Sequence, residues 1–337
     1  MKNTLPNFSR RAVLLGLMFL ICVAAVTTAS AKGRKYGLFI GINEYPDTIG
    51  ALGGCINDAK KMQSTMVTKY GFKSSDTTLL LDAAATRDGI INQIKRYEKL
   101  AGAGDIFIMH YSGHGSLFPD KFSEEQDETK FTYYESDGEV IYPRDKYDAT
   151  ILPVDADEET SGKPWKNMIL DDELYAMFAP ITEKGAQVVF ISDSCFSGSI
   201  ARPTGAAPIK ERFVPLYRVF GAKSYADLKL KEPAKRQTVT APPQLNNLYL
   251  TLTGANNNET ASDGTGEDAT KMGLFTETLY KALNAKGANK LSYAQLMQSV
   301  SARVKASALA GRHNQNPQLD TRYGNPKAMI FTVPAAK

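Results

Sequence analysis

Two stretches of the chain each combine a buried strand with a reactive side chain just beyond its end. In residues 187–198 an apolar run is followed by small and polar residues that include Cys195. In residues 105–115 a second apolar run is followed by Ser-Gly-His-Gly, with the imidazole at His114. Such runs predict buried strands, and α/β sheets place their chemistry at the carboxyl ends of strands. If the two strands are neighbours, the thiol and the imidazole meet at one edge of the sheet.

This pair of side chains supports nucleophilic catalysis. The thiolate is the reactive form of cysteine, and an adjacent imidazole can accept the thiol proton. His114 lies between two glycines, where the backbone can bend sharply and present the ring. The backbone N–H groups of Gly115 and Cys195 could form an oxyanion hole for a tetrahedral intermediate. The alternative is a coincidence of an inert core cysteine with an unrelated histidine, since single buried cysteines are usually unreactive.

The two remaining histidines fit other roles. His110 lies within the predicted strand between Met109 and Tyr111, which indicates a packed residue. His313 lies in a polar loop, which indicates a surface residue.

The composition is that of a folded chain with a mild charge. With 337 residues and 43% hydrophobic content, the chain can bury a sizeable core as one large domain or two small ones. The formal net charge is +4 and no long basic run is present, so nucleic acid is not predicted as a partner.

Residues 1–31 have the pattern of an export signal peptide. Three basic residues precede the apolar run 12–26, and Ala29-Ser30-Ala31 fits a small-residue cleavage site. The apolar run is short for a bilayer span, which needs about 20 residues, so we expect cleavage and no stable membrane insertion. The pair Arg10-Arg11 also fits a twin-arginine signal. The predicted location is periplasmic or secreted, and removal of the segment lowers the net charge to +1.

The mature chain then has two cysteines, Cys55 and Cys195. Two cysteines in about 300 exported residues do not make a disulfide framework. A free thiol in an oxidising compartment is consistent with catalysis.

Strands alternate with helices along the rest of the chain. Strands are predicted at 35–41, 78–81, 106–111, 187–191, 247–253 and 328–333. Helices are predicted from residue 57, over 86–101 with Thr86 as its cap, from residue 170, and over 274–283 and 291–304. Residues 116–150 are interpreted as an irregular polar insertion. The alternation predicts an α/β fold with a mainly parallel sheet of about six strands and helices on both faces.

The two reactive stretches resemble signatures of a known family. His110-Tyr111-Ser112-Gly113-His114-Gly115 and Asp193-Ser194-Cys195-Phe196-Ser197-Gly198 are similar to the His and Cys motifs of metacaspases and their bacterial relatives in the caspase clan. The other matching segments are Phe39–Asn43, Gly54–Ala59, Leu152–Asp155, Ile169–Leu174 and Gln315–Leu319. The likeness spans roughly residues 34–333. The Gln-Ala-Cys-x-Gly context of animal caspases is absent.

The resemblance implies a caspase-like three-layer sandwich and a cysteine endopeptidase. It implies that His114 and Cys195 form the catalytic dyad. It also implies that the pocket for the residue before the scissile bond is lined by Cys55, Asp58, Ser112 and Asp193. Two carboxylates in a pocket select a cation, because an unpaired buried charge is costly. The expected substrates are therefore peptides or proteins with Arg or Lys before the scissile bond.

The resemblance also bears on calcium. The acidic residues that match the activating site of the family are Asp155, Asp171 and Asp172, and oxygen-rich clusters suit Ca²⁺. The family often places a further Asp shortly after the cysteine motif, where this chain has Arg202. A guanidinium there would repel the ion or replace it. We therefore expect no required cofactor and weak or absent calcium dependence.

The predicted organisation has four parts. Residues 1–31 are the export signal, 32–200 a large-subunit-like part with the catalytic His and Cys, 201–245 a Pro-rich basic linker, and 246–337 a small-subunit-like part of the same domain. The linker carries basic residues at which an Arg- or Lys-specific peptidase could cut itself, among them Arg202, Lys210, Arg212, Lys235 and Arg236. The alternative interpretation is an ordinary solvated loop.

Two other functions fit the same sequence. The fold could serve as a binding or scaffold protein whose dyad is mispositioned. The chain could also be a cysteine hydrolase or transferase that acts on non-peptide substrates, which a pocket without paired carboxylates near Cys195 would favour.

Overall fold

The computed structural model of the chain describes residues 33–119, 130–135, 138–143, 147–156, 166–195, 210–219, 221, 247–255, 261–263, 271–307 and 315–332. The export signal expected at 1–31 lies outside these residues, as do Arg202 and His313. Within the described residues, no helix combines the length and apolarity that a bilayer span requires.

Six strands form the central sheet, in the order β11-β10-β9-β3-β1-β2. They are β1 (Lys35–Gly41), β2 (Thr77–Leu81), β3 (Ile106–Ser112), β9 (Gln187–Asp193), β10 (Tyr249–Thr253) and β11 (Gln318–Asp320). All neighbours pair in parallel except β10 and β11. The prediction of a mainly parallel sheet of about six strands is confirmed.

Helices cover both faces of the sheet. They are α1 (Cys55–Lys69), α2 (Arg87–Leu100), α3 (Asp171–Glu183), the short α4 (Leu216–Val219), α5 (Leu274–Asn284) and α6 (Tyr293–Lys305). The Thr86 hydroxyl accepts a hydrogen bond from Gly89 N at 3.0 Å, which is the predicted cap of α2.

The core consists of two apolar layers on opposite faces of the sheet. Alternate residues of a strand point to opposite faces, so Leu38 and Ile40 pack in one layer and Phe39 packs in the other. The first layer includes the buried faces of α2 and α3. The second includes those of α1, α5 and α6. This arrangement is the predicted three-layer sandwich.

Two expectations about secondary structure are wrong. The segment 116–150 is not irregular, because it contains β4 (Gly115–Pro119), β5 (Lys130–Glu135), β6 (Gly138–Pro143) and β7 (Tyr147–Ile151). β4 and β7 pair antiparallel, and the two-residue strand β8 (Ile169–Leu170) pairs antiparallel with β7. The last strand of the sheet is β11, not residues 328–333. Ile330 and Phe331 are buried, so their apolar character reflects core packing outside any strand.

Candidate active site

The two strands that carry the reactive residues are neighbours. β3 and β9 pair in parallel from Ile106↔Gln187 to Ser112↔Asp193. His114 lies two residues after Ser112, and Cys195 lies two residues after Asp193. Gly115 packs against the backbone of Cys195 so closely that a Cβ there would overlap the Cys195 carbonyl oxygen. A glycine is therefore required beside the cysteine, and the two loops meet at one edge of the sheet.

The imidazole of His114 is held in one orientation. Its Nε2 lies 2.8 Å from Gly50 O, and a carbonyl only accepts, so Nε2 carries the proton and Nδ1 keeps a free lone pair. Nδ1 is buried and has no hydrogen-bond partner among the described residues. Tyr45 and Tyr111 fix the backbone, through Tyr45 Oη to His114 N (3.0 Å) and Tyr111 Oη to His114 O (2.6 Å). The arrangement leaves a basic nitrogen available at Nδ1.

Burial keeps both reactive groups neutral. It lowers the pKa of His114 to about 4, although the bond to Gly50 opposes that shift. Burial also raises the pKa of the Cys195 thiol well above its ordinary value. The resting pair is therefore a thiol and a neutral imidazole, and not a thiolate–imidazolium ion pair.

The sulfur of Cys195 is bound by the loop that contains Ala261. Ala261 N donates to Sγ at 2.6 Å, and Sγ lies 3.5 Å from Ala261 O. The thiol is therefore held by the backbone of Ala261 in this structure.

A segment of the predicted linker lies across the site as an extended strand. Arg212 N donates to Ala261 O (3.1 Å), and Asp263 N donates to Lys210 O (2.7 Å). On the other side, Val214 N donates to Gly115 O (2.9 Å). Main-chain bonds of this kind are how extended peptides add to a sheet edge. The backbone of this segment is therefore held on both sides.

The carbonyl oxygen of Arg212 accepts two backbone hydrogen bonds. Gly115 N lies 3.0 Å and Cys195 N 3.3 Å from this oxygen. These are the two amides that the sequence predicted as oxyanion donors. The carbonyl carbon of Arg212 is thus presented beside the cysteine.

The Arg212 side chain is fully buried among carboxylates. Nη1 lies 2.9 Å from Asp193 Oδ2 and 2.9 Å from Ser112 Oγ. Nη2 lies 2.7 Å from Asp58 Oδ2 and 3.0 Å from Asp263 Oδ1. Burial opposes the charge, but the three carboxylates raise the pKa of Arg212 well above its ordinary value. Three of the four predicted pocket residues therefore surround one basic side chain.

Cys55, the fourth predicted pocket residue, also lies near this group. It opens α1, its N–H donates to Asn43 Oδ1 at 2.9 Å, and its side chain is buried. Burial raises the pKa of its thiol, while the charge of Arg212 and a hydrogen bond from Ser112 oppose the shift. Cys55 is neutral and contributes no charge to the pocket.

The pocket has more negative charge than a single guanidinium neutralises. Three carboxylates surround one cation. Burial raises the pKa of Asp58 to about 7 even though Arg212 opposes the shift. Asp58 therefore binds a proton more readily than an ordinary carboxylate does.

The three residues expected to bind calcium do not form a cluster. In the part of the chain that the structure describes, no group of three or more Asp, Glu, His or Cys side chains could hold a metal ion. Asp155 instead accepts Arg87 N (2.8 Å) and Asn167 Nδ2 (3.2 Å). Asp171 accepts Asp172 N at 3.1 Å at the start of α3. Asp172 Oδ2 is buried and has no hydrogen-bond partner among the described residues.

Several residues of the site were not singled out in the sequence. Asp263 lies within the Gly/Asn/Asp-rich loop 254–266, and Gly273 precedes α5. Thr276 donates to Asp193 Oδ2 from both its N–H (2.9 Å) and its hydroxyl (2.6 Å). Tyr45 lies in a loop that the family resemblance does not include. A search for acidic residues in loops that follow predicted strands would have found Asp263.

His110, which lies behind the pocket, gives a pH prediction. Its Nε2 is 3.4 Å from Thr276 Oγ1, its Nδ1 has no described partner, and burial lowers its pKa to about 3. In the unfolded chain the pKa of His110 is near 6.5. The unfolded chain therefore binds the proton first as the pH falls. The stability contributed by neutral His110 is complete above pH 6.5 and is lost toward pH 3, at about 1.4 kcal/mol per pH unit.

We expect His110→Gln to reduce this acid sensitivity. In a Cys195→Ala background, the difference in unfolding free energy between parent and variant should change by about 2 kcal/mol between pH 6.5 and pH 5. Urea unfolding at the two pH values measures it, and all other titrating groups are common to both chains. An unchanged difference would show that His110 does not titrate in this way.

Comparisons with known proteins agree with this fold and site. A family model described as the caspase domain matches residues 34–324. The chain belongs to this family and is a cysteine-type peptidase.

The curated relatives are metacaspases. Metacaspase-1B of Aspergillus oryzae is 26% identical over 338 residues, covering 90% of this chain and 72% of that protein. Metacaspase-7 of Arabidopsis thaliana is 33% identical over 171 residues, covering 49% of this chain and 35% of that protein. The chain therefore spans only about a third of the plant relative.

Solved structures share the fold. The crystal structure of protein GSU0716 from Geobacter sulfurreducens has a TM-score of 0.59 and 25% identity, and covers 90% of this chain and all of that one. Caspase-1 from Spodoptera frugiperda has a TM-score of 0.50 and 11% identity, and covers 89% of this chain and 93% of that one.

Proposed function

We propose that this chain is an endopeptidase that cleaves after Arg or Lys, with Cys195 as nucleophile and His114 as general base. One observation carries the proposal. Arg212 of the chain itself lies in the site in the manner of a substrate, with its carbonyl oxygen on the Gly115 and Cys195 amides and its guanidinium among carboxylates. A pocket of this charge is most stable when it holds a cation.

The proposed reaction begins with proton transfer. Cys195 gives its proton to His114 Nδ1, and Sγ attacks the carbonyl carbon of the residue in the pocket. The developing oxyanion accepts from the amides of Gly115 and Cys195, which are already directed at this oxygen. His114 then protonates the leaving amine as the C–N bond breaks, and an acyl-enzyme remains. Water, deprotonated by His114, attacks the thioester, which releases the carboxylate product and returns the proton to the thiol.

The neutral resting pair suits this sequence of steps. Because the pKa of His114 is about 4, the imidazole is unprotonated at neutral pH and can act as a base. Binding of substrate would then be followed by proton transfer from Cys195 to the imidazole within hydrogen-bond reach, as general base catalysis requires.

A peptide assay tests the proposal. Wild type should cleave fluorogenic peptides with Arg or Lys before the reporter, and Cys195→Ala should not. Equal turnover by wild type and Cys195→Ala would refute the proposal. Cleavage of neither peptide by a folded wild type would favour the scaffold alternative, and turnover of a non-peptide thioester or amide alone would favour the other hydrolase or transferase.

The location and cofactor requirement are also proposals. The pattern of residues 1–31 supports export to the periplasm or outside the cell, and the mild net charge of +4 supports a protein or peptide substrate and no nucleic acid. We propose that Ca²⁺ is not required, because Arg202 stands where the family often places a further Asp. Running the peptide assay with added Ca²⁺ and with a chelator tests this; activity that depends strongly on Ca²⁺ would contradict it.

A further inference from the structure

Asp263 is a third carboxylate of the pocket and belongs to a different segment from the other two. Asp58 lies in α1 and Asp193 ends β9, whereas Asp263 follows the residues that pair with the backbone of 210–212. Its side chain is buried. Burial opposes its ionisation, but the charge of Arg212 and hydrogen bonds from Arg212, Gly53 and Gly54 lower its pKa. Asp263 is thus a charged partner of whatever occupies the pocket.

The carboxylate of Asp263 is fixed before it meets the guanidinium. Gly53 N donates to Oδ2 at 2.8 Å, and Gly54 N donates to Oδ1 at 3.0 Å. Both amides lie just before α1, where the helix dipole also favours negative charge. The orientation of Oδ1 is therefore set by the protein and does not depend on the flexibility of the Asp263 side chain.

Asp263 contacts a part of arginine that lysine lacks. Its Oδ1 lies 3.0 Å from Arg212 Nη2 and 3.4 Å from Nε. Among the described residues, the other partners of the guanidinium bind Nη1 or Nη2 only: Ser112 Oγ, Asp193 O, Asp193 Oδ2 and Asp58 Oδ2. Asp263 therefore contacts the Nε edge of the fork, and all three nitrogens are engaged.

A lysine ammonium would not satisfy the same acceptors. Its single nitrogen would lie near the position of the guanidinium carbon, one bond short of the nitrogens that the acceptors contact. Arg and Lys differ in this way at any site built around a planar fork. The carboxylates would then be incompletely paired, which is unfavourable in a buried pocket.

We propose that Asp263 is the residue that makes this peptidase prefer Arg to Lys before the scissile bond. The inference rests on the proposed function, because it concerns the specificity of the same pocket. Asp58 and Asp193 attract a cation of either kind, and Asp263 distinguishes the shape of the cation.

Paired peptides that differ only in Arg or Lys test the proposal. For wild type, kcat/KM should be higher for Arg. In Asp263→Asn, which keeps an oxygen for only one of the two amides of Gly53 and Gly54, the Arg value should fall by about 30-fold or more, and the Lys value by much less. A merely structural role would lower both values equally, so an unchanged Arg-to-Lys ratio would overturn the proposal.

Asp58→Asn is the matched control. Asp58 contacts Nη2 and not Nε, so this substitution should weaken both substrates with a smaller change in their ratio. A ratio that collapses in Asp58→Asn but not in Asp263→Asn would also contradict the assignment. Absence of wild-type activity on both peptides is a different result, since it refutes the proposed function itself.

A measurement on wild type covers the case in which Asp263→Asn does not fold. A peptide with homolysine has one more methylene than lysine, so its ammonium reaches farther into the pocket but has no Nε–H. If Asp263 selects the Nε edge, homolysine should be cleaved far more slowly than Arg. Cleavage of homolysine within a few-fold of Arg would show that reach alone determines the preference, and would overturn the proposal.

Discussion

The purified full-length chain is expected to cut its own Arg212–Phe213 bond. Among the basic residues of the predicted linker that the structure describes, Arg212 is the one placed with its carbonyl oxygen on the Gly115 and Cys195 amides. The bond after it is therefore held as a substrate bond would be, and the reaction needs no encounter with a second molecule. Intact mass measurement over time should show fragments that end at Arg212 and begin at Phe213.

Two variants define this prediction. Cys195→Ala should lower the rate by a factor on the order of 10⁶, the scale on which removal of a nucleophile acts in subtilisin. Arg212→Gln should lower cleavage at this bond by about 100-fold or more, because it leaves the pocket carboxylates without a cation. Lys210→Gln is the control for general loss of basic charge in the segment, since Lys210 contacts the site through its backbone O. Equal cutting in Cys195→Ala, or a wild type that stays intact while it cleaves Arg peptides, would contradict the prediction.

The two fragments should remain associated after the cut. β9 precedes Arg212 and β10 follows it, yet these strands pair in parallel in the middle of the sheet, from Tyr249↔Val188 to Thr253↔Ser192. Val214, on the carboxyl side of the cut, is also buried in the core. Size exclusion under native conditions should therefore give one peak that contains both fragments.

The second large effect is expected for Gly273→Ala. Gly273 has φ −65° and ψ 141°, a conformation that alanine adopts without strain. A Cβ at this position would lie 2.5 Å from Arg212 Cζ and 2.5 Å from Asp193 Oδ2, nearer than atoms can pack. The methyl group would therefore occupy the place of the guanidinium, and kcat/KM for Arg peptides should fall by about 100-fold or more as the buried ion pairs are lost.

The effect should be confined to the pocket. Gly102→Ala is the matched control, since a Cβ there would meet only Asp105 Oδ2, at 4.0 Å. If Gly273→Ala cleaved Arg peptides at the wild-type rate, Gly273 would not limit the space for the guanidinium in the pocket.

The sheet and its reactive edge could be predicted because their signals are local. The apolar runs of β3 and β9 have the length and boundaries of buried strands, and each is followed by small residues that include the reactive side chain. The errors at 116–150 and 328–333 both occur where apolar character and strand structure do not coincide. β4 to β7 are polar strands outside the central sheet, and the buried residues Ile330 and Phe331 have apolar character without strand structure.

By itself, the sequence determined the α/β alternation, the positions of His114 and Cys195 just beyond the ends of two strands, and a set of acidic residues suited to a basic side chain. Only the tertiary structure decided what occupies the pocket. Arg212 is separated from Asp58 by 154 residues, and nothing near it in the sequence distinguishes it from the other basic residues of the linker. Burial of a cation depends on charges that folding brings together from distant segments. That is why a residue interpreted as part of a linker lies at the centre of the site.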